Sequence, residues 1–368
     1  MDQRSVAMVL GPGGGEVGRH VRSLVAELTA RGRPVDVYCP AETAIQHDFN
    51  PARVRPLDVG GGARDAAAVA SLRRALRTEP VDVIHAHGLA AGVVAALARP
   101  AGLPLVVTWH TNLAAHGVRS LLHRSAARTV AAAADVTLAA SADLLAVATA
   151  LGARDARPAL IAAPPRPAYR RTAAAVRAEF GLAATTPLVL SVGRLEPRQR
   201  QDILIAAAGR WRTLQPVPTV LIAGVGPAYR RLAAQAAVAR APVILTGQRD
   251  DVGDLLHAAD VAVVTGRADG RPAFVQEALA AGTPLVAPAT GMLPELVGDA
   301  AVLVAPEDVD ALDDAVRALL DDPARRTRLG AAGAHRAREW PTDAQAADQV
   351  AAIYAELAAA DRDSARES

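Results

Sequence analysis

No lysine occurs in the 368 residues, so all 40 Lys+Arg positions are arginine and any cationic chemistry must come from a guanidinium. A single cysteine, Cys39, excludes an internal disulfide, and no paired Cys/His spacing points to structural zinc. A reducing, cytoplasmic setting follows as the expectation. Aromatic residues make up only 3% and nowhere alternate with basic ones as a base-stacking surface requires, which argues against a nucleic-acid partner. The net charge of +2 adds no reason to expect one, even with a pI near 9.1. No apolar run reaches the ~18 residues of a membrane span, and the run near the N-terminus is too short for the core of a signal peptide. What is present is 51% hydrophobic and 21% charged residues, a balance that folds.

The length exceeds the ~100–200 residues usual for one domain, so two domains are expected. Short apolar or β-branched runs alternate with alanine-rich helical stretches, the pattern of parallel sheets wrapped by helices. VAMVL, VDVYC, VDVIHAH, LVVTWH and VTLAAS read as strands in the first half, and LVLSVG, TVLIAG, VILTG, VAVVTG and TPLVAP in the second. Pro164, Pro165 and Pro167 mark an extended connector, with a hinge near residues 162–185. The expected fold class is α/β, with two Rossmann-like doubly wound domains facing a cleft. Domain boundaries are set at 1–165, 166–345 and 346–368. The last piece is read as a helix with a fraying tail that packs back on the first domain.

In the first half, VLGPGGGEVGRHV reads as a strand, a glycine-rich turn and a helix whose first N–H groups can face an anion. Gly13, Gly15 and Gly18 satisfy G-x-G-x-x-G, and Asp36 falls where the next strand should end, near the place of a ribose-binding acid. An NAD-dependent dehydrogenase is therefore one alternative; a tight strand-to-helix turn explains the same glycines. His85, His87 and His110 sit at carboxyl ends of expected strands, where ligands meet open α/β sheets. For His85 a hydrogen-bonded structural role is preferred. For His110, between Trp109 and Thr111-Asn112, a functional role is preferred. Arg119, His123, Arg124 and Arg128 recur about one turn apart beside an apolar face over residues 119–134. That arrangement suits either a solvated helix or peripheral contact with an anionic membrane at its inner face.

In the second half, SVGRLEPRQRQDILIAAA ends a strand at Gly193-Arg194 and begins a helix near Asp202, a place where arginine can grip phosphate oxygens bidentately. Asp269 and Glu277, in TGRADGRPAFVQEALAAG, place one carboxylate in a loop and one at an expected helix start. Both can accept hydrogen bonds from sugar or ribose hydroxyls.

These segments together resemble the family 4 retaining glycosyltransferases of GT-B fold. The likeness runs in order through GGGEVGRHV, DVIHAHG, TWHT, SVGRL with D-x-L-I, AGVGP, LTGQRDDV, LLHAADVAVV, QEALAAGTPLVA, PELVGDAAVLV and a closing Trp-to-Tyr helix. It implies transfer of a sugar from a nucleotide-diphosphate sugar, a UDP- or GDP-sugar, with retention of configuration, no dedicated metal and no other cofactor. The acceptor stays open among a small molecule, a lipid-linked molecule and a glycan. By the same likeness Gly14 and Gly15 form the loop bordering acceptor and donor phosphate, and His110 contacts the transferred sugar. Arg194 holds the diphosphate, Glu277 the ribose and Asp269 the sugar hydroxyls. The Gly247 loop borders the base, and Gly291 with the helix opening near Glu295 lies by the phosphates.

Three positions depart from the family pattern. Its diphosphate lysine falls on Gln199 and the following glycine on Arg200, the first acid of the carboxylate pair is Asp269, and the later glycine pair is reduced to Gly291-Met292. Either Arg198 or Arg200 is expected to replace the lysine. The alternative is a catalytically impaired homologue that binds nucleotide sugar or regulates a partner.

Overall fold

The computed structural model describes residues 5–12, 15–60, 63–110, 118–266 and 270–367, the side chains of 63, 64, 118–122 and 361–367 excepted. The strands are β1 (Val6–Leu10), β2 (Val35–Cys39), β3 (Arg53–Pro56), β4 (Val83–His87), β5 (Leu105–Trp109), β6 (Val136–Ala139) and β7 (Ala156–Pro158), then β8 (Leu188–Val192), β9 (Thr219–Ala223), β10 (Val243–Gly247), β11 (Val261–Val263), β12 (Leu285–Pro288) and β13 (Val302–Val304). Between them run α1 (Glu16–Ala30), α2 (Ala41–His47), α3 (Ala63–Thr78), α4 (Leu89–Ala98), α5 (Val118–Ala133), α6 (Ala142–Ala150), α7 (Ala173–Glu179), α8 (Gln201–Trp211), α9 (Tyr229–Ala239), α10 (Val252–Ala258), α11 (Ala273–Ala281), α12 (Leu293–Val297), α13 (Val309–Asp321), α14 (Pro323–Arg338) and α15 (Asp343–Glu367).

These strands make two sheets, ordered β3-β2-β1-β4-β5-β6-β7 and β10-β9-β8-β11-β12-β13, with every paired neighbour parallel. Both are doubly wound: the order reverses beside the first strand of each sheet, which is where such sheets place ligands. Alternation along the central strands shows why both faces must be covered. Ala7 and Val9 join one core, while Val6, Met8 and Leu10 join the other; in the second sheet Leu188 and Leu190 part from Val189 in the same way.

Five strands were expected in each half, and the sheets hold seven and six. The extra strands β3, β7 and β13 are all sheet edges, each hydrogen-bonded on one side only: β3 and β7 hold no apolar run, and β13 is only the three residues VLV.

Two compact units divide the described chain. One comprises residues 1–162 with 341–368, the other 163–340. The return of the C-terminal helix to the first unit has a simple cause: Ala346, Ala347, Val350, Ile353 and Tyr354 are buried in the core that α1 also builds. Arg31 binds Asp348 at 3.0 Å, and Gln349 accepts from the Leu160 N–H at 2.8 Å. Where a fraying tail was expected, α15 runs on to Glu367. The connector is extended through the prolines, but the range read as a hinge also contains α7, capped by Thr172.

Candidate functional site

At the carboxyl ends of the first sheet, burial and hydrogen bonding separate the three strand-end histidines. His85 is fully buried, and both of its ring nitrogens are taken, Nδ1 by the Tyr354 hydroxyl at 2.6 Å and Nε2 by the Thr108 hydroxyl at 2.7 Å. It is a structural tie between β4, β5 and α15. His87, the last residue of β4, faces His110, which follows β5, with Nδ1 and Nε2 3.1 Å apart. His20, from the second turn of α1, completes the group; its ring centroid lies 5.7 Å from that of His87 and 5.3 Å from that of His110. Burial disfavours the charged form of each. It holds His110 down to about 4 and His85 to about 3, and His20 and His87 stay well below the ordinary imidazole range. All four rings are neutral at pH 7.

The glycines of this region serve two different ends. Gly15 caps α1 with φ +81°, a conformation that glycine adopts without strain. Gly18 packs directly against the His47 ring, where a Cβ would lie 2.2 Å from that side chain. Gly13 and Gly14 lie outside the described residues, as do Thr111 and Asn112.

Asp36 is not a ribose acid. It is the second residue of β2, at the amino end of the strand, and forks onto Arg53 of β3 through two contacts at 2.8 and 2.9 Å. A cavity of about 530 Å³ beside it, lined in part by Arg33, Asp36, Arg53 and Glu79, opens at the same amino edge, away from the strand ends where such sheets bind nucleotides. Without that acid the dehydrogenase reading loses its second motif.

In the second unit, SVGR and AGVGP turn out to be one construction. Gly224, with φ +146°, runs so close to β8 that a Cβ would sit 1.9 Å from the Gly193 carbonyl oxygen, and at Gly226 a Cβ would sit 2.4 Å from that of Leu195. This approach holds the loop that carries Arg194. Glu196 accepts from the Arg194 Nε at 2.7 Å and the Arg198 Nε at 2.8 Å, and the hydrogen bonds from Arg194 and then Arg198 keep its carboxyl ionised below the usual range. The two guanidinium side chains stay 75% and 67% exposed. Arg200 is placed otherwise. It takes a left-handed backbone ahead of α8, and its side chain, 28% exposed, is held by Asp202 at 3.2 Å and Glu307 at 2.5 Å.

Gln199 stands against the loop after β11. Its carbonyl accepts from the Thr265 hydroxyl at 2.9 Å, and a Cβ on Gly266 would come within 2.7 Å of its Oε1. Gln201 Nε2 donates to the Arg194 carbonyl at 3.0 Å, tying the start of α8 to the same loop. Asp269 lies outside the described residues.

Glu277 was expected to open a helix. The helix begins four residues earlier, at Ala273, and Glu277 is half-buried on its second turn, flanked by buried Gln276 and Ala278. The back of α11 is set by glycine contacts that sequence reading missed. A Cβ on Gly330 of α14 would lie 2.3 Å from the Gly282 carbonyl oxygen, and one on Gly333 would lie 3.3 Å from the Leu279 backbone. Gly247, at the end of β10, and Gly291, in the turn before α12, have φ of +75° and +57°, so both loops turn where glycine is favoured.

Of the basic helix, Arg124, Arg128 and His123 are exposed, and the side chain of Arg119 lies outside the described residues. Ala127, Val130 and Ala131 are buried in the core with α4 residues, so the apolar face of α5 is occupied by the protein itself. Among the described residues no helix is long and apolar enough to cross a membrane.

Two family models match the chain: Glycosyl transferase 4-like domain over residues 15–164 and Glycosyl transferases group 1 over residues 173–336. A glycogen synthase of Mycobacterium tuberculosis is 32% identical over 91% of this chain and 90% of its own length. A GDP-mannose-dependent monoacylated alpha-(1-6)-phosphatidylinositol monomannoside mannosyltransferase of Corynebacterium glutamicum is 36% identical, over 47% of this chain and 49% of its own. Among solved structures, Anabaena Alr3699/HepE in complex with UDP-glucose superposes with a TM-score of 0.77 at 20% identity, covering 95% of this chain and 99% of that one. Two parallel Rossmann-like sheets and end-to-end likeness to a transferase agree: the chain belongs to the group 1 glycosyltransferases.

Proposed function

We propose that this glycosyltransferase moves a sugar from a UDP- or GDP-sugar to a hydroxyl acceptor with retention of configuration and without a dedicated metal, and that Arg194 and Arg198 together hold the donor diphosphate. The observation that carries this reading is the pair of exposed guanidinium groups joined by Glu196 at the carboxyl end of β8. Both meet Glu196 through Nε, leaving the outer nitrogens for phosphate oxygens. Such a pair stabilises the charge that grows on a departing diphosphate. Arg200, held by two carboxylates, does not take the lysine's place. A GDP-mannose-dependent relative and a neighbour solved with UDP-glucose support the donor class.

The other roles follow the same reading. Glu277 accepts from the ribose hydroxyls and Asp269 from the sugar, while the Gly247 and Gly291 turns border base and phosphates. In the first unit, neutral His110 positions the transferred sugar, beside the Gly14-Gly15 loop. The basic face of α5 is available to an anionic surface by charge alone.

Thermal-shift titration of the full chain with UDP-, GDP- and ADP-sugars tests the donor, because a ligand that binds only the folded state raises apparent stability. Product NMR then reads the anomeric configuration, and activity after treatment with EDTA reads metal dependence. Inversion, or activity lost to EDTA and restored by a divalent ion, overturns the corresponding part.

A further inference from the structure

His20, His87 and His110 come from three separate elements, and each offers a ring nitrogen within 4.8 Å of those of the other two. They are 5%, 3% and 7% exposed. Two buried nitrogens of the group, His20 Nδ1 and His87 Nε2, have no hydrogen-bond partner among the described residues. An unsatisfied buried polar atom is costly, so its persistence asks for an occupant. The fourth histidine shows the contrast: His85 stacks on His87 at 4.2 Å yet spends both nitrogens on Tyr354 and Thr108.

We propose that His20, His87 and His110 form a binding site for a borderline transition-metal ion of the zinc class, and that filling it inhibits the transferase by capturing the His110 imidazole. Neutral imidazole is a preferred ligand of such ions, and three histidines with an open fourth position are a recurrent zinc set. Zinc–nitrogen bonds of 2.0–2.1 Å place tetrahedral ligand atoms roughly 3.4 Å apart. The 3.1 Å between His87 Nδ1 and His110 Nε2 is already near that edge. Within the 4.8 Å limit, the wider separations have to close by at most about 1.4 Å on binding. Inhibition rests on the role proposed for His110; binding of the ion does not.

The test uses the full chain without a histidine tag. Cobalt(II), as a spectroscopic stand-in, should give visible bands of a four-coordinate nitrogen site at one equivalent, displaced by zinc. His20→Asn and His87→Gln should each weaken zinc binding by ~10-fold or more, while His335→Ala, an exposed histidine on α14, leaves it unchanged. Zinc should inhibit transfer, EDTA should restore it, and His20→Asn should be less sensitive. Absence of the cobalt bands in the unaltered protein overturns the proposal and leaves water as the occupant, whether or not the variants fold. Equal binding by the variants overturns it as well. If cobalt binds through these histidines and no donor is turned over, the metal site stands and the assignment of His110 falls. If zinc binds but does not inhibit, capture of His110 is refuted.

Discussion

In the proposed donor site Arg198, one residue before Gln199 and sharing Glu196 with Arg194, takes the place of the lysine. Arg198→Ala should lower turnover by ~10-fold or more, about 1.4 kcal/mol of transition-state stabilisation. Arg200→Ala should act mainly on stability, because its partners Asp202 and Glu307 are protein groups. Gln199→Lys should add little. If both alanine variants are silent and Gln199→Lys sharply raises activity, the natural chain is the impaired homologue. Glu277→Ala should weaken nucleotide binding by about 1.5–3 kcal/mol, the worth of a hydrogen bond to a charged group. Glu16→Ala, in the first turn of α1, should change it less, and calorimetry compares the two.

At the scale of elements, α11 is positioned from behind. Gly330→Ala would thrust a methyl group to 2.3 Å from the Gly282 carbonyl, a backbone atom that cannot swing aside. The expected result is a loss of about 1–3 kcal/mol in unfolding free energy, together with weaker nucleotide binding as Glu277 shifts. A melting point and an affinity that both match the unaltered protein would show that α14 yields freely. Edge strands escaped sequence reading for a related reason. RVRP in β3 is ordered by pairing with β2 and by Arg53 on Asp36, partners distant along the chain, and not by any pattern of its own. Asp36 was misplaced although VDVYC is itself the strand: it is the second residue of that run and so stands at its amino end.

Across the whole molecule, the buried histidines of the first unit tie stability to pH. Their folded pKa values lie below those of the unfolded chain, near 6.5, with His110 at about 4 and His85 at about 3. The unfolded state therefore binds more protons between those limits, and stability rises with pH through that window. It should be complete above about pH 6.5 and decline on acidification, by up to about 1.4 kcal/mol per pH unit for each histidine. Melting curves at pH 7.5, 6 and 5 check this, and replacing His85 with a neutral residue of similar size should flatten the slope. An unchanged melting temperature over that range would show that the rings are hydrated.

The α/β class, the duplicated architecture and the ordered motifs of a glycosyltransferase were legible in the sequence because parallel strands buried on both faces must be continuous apolar runs, and the loops that end them need glycine. His110 and Arg194 were singled out by the same rule, as residues just beyond strand ends, whereas Glu277 lies on the second turn of α11. Tertiary structure alone decided which side chains share a partner. Glu307 withdrawing Arg200 and Tyr354 reaching back 269 residues to His85 depend on distances that no local period encodes. The three-histidine cluster is of the same kind. Its members belong to α1, β4 and the end of β5, and only the strand order β1-β4-β5 brings them together.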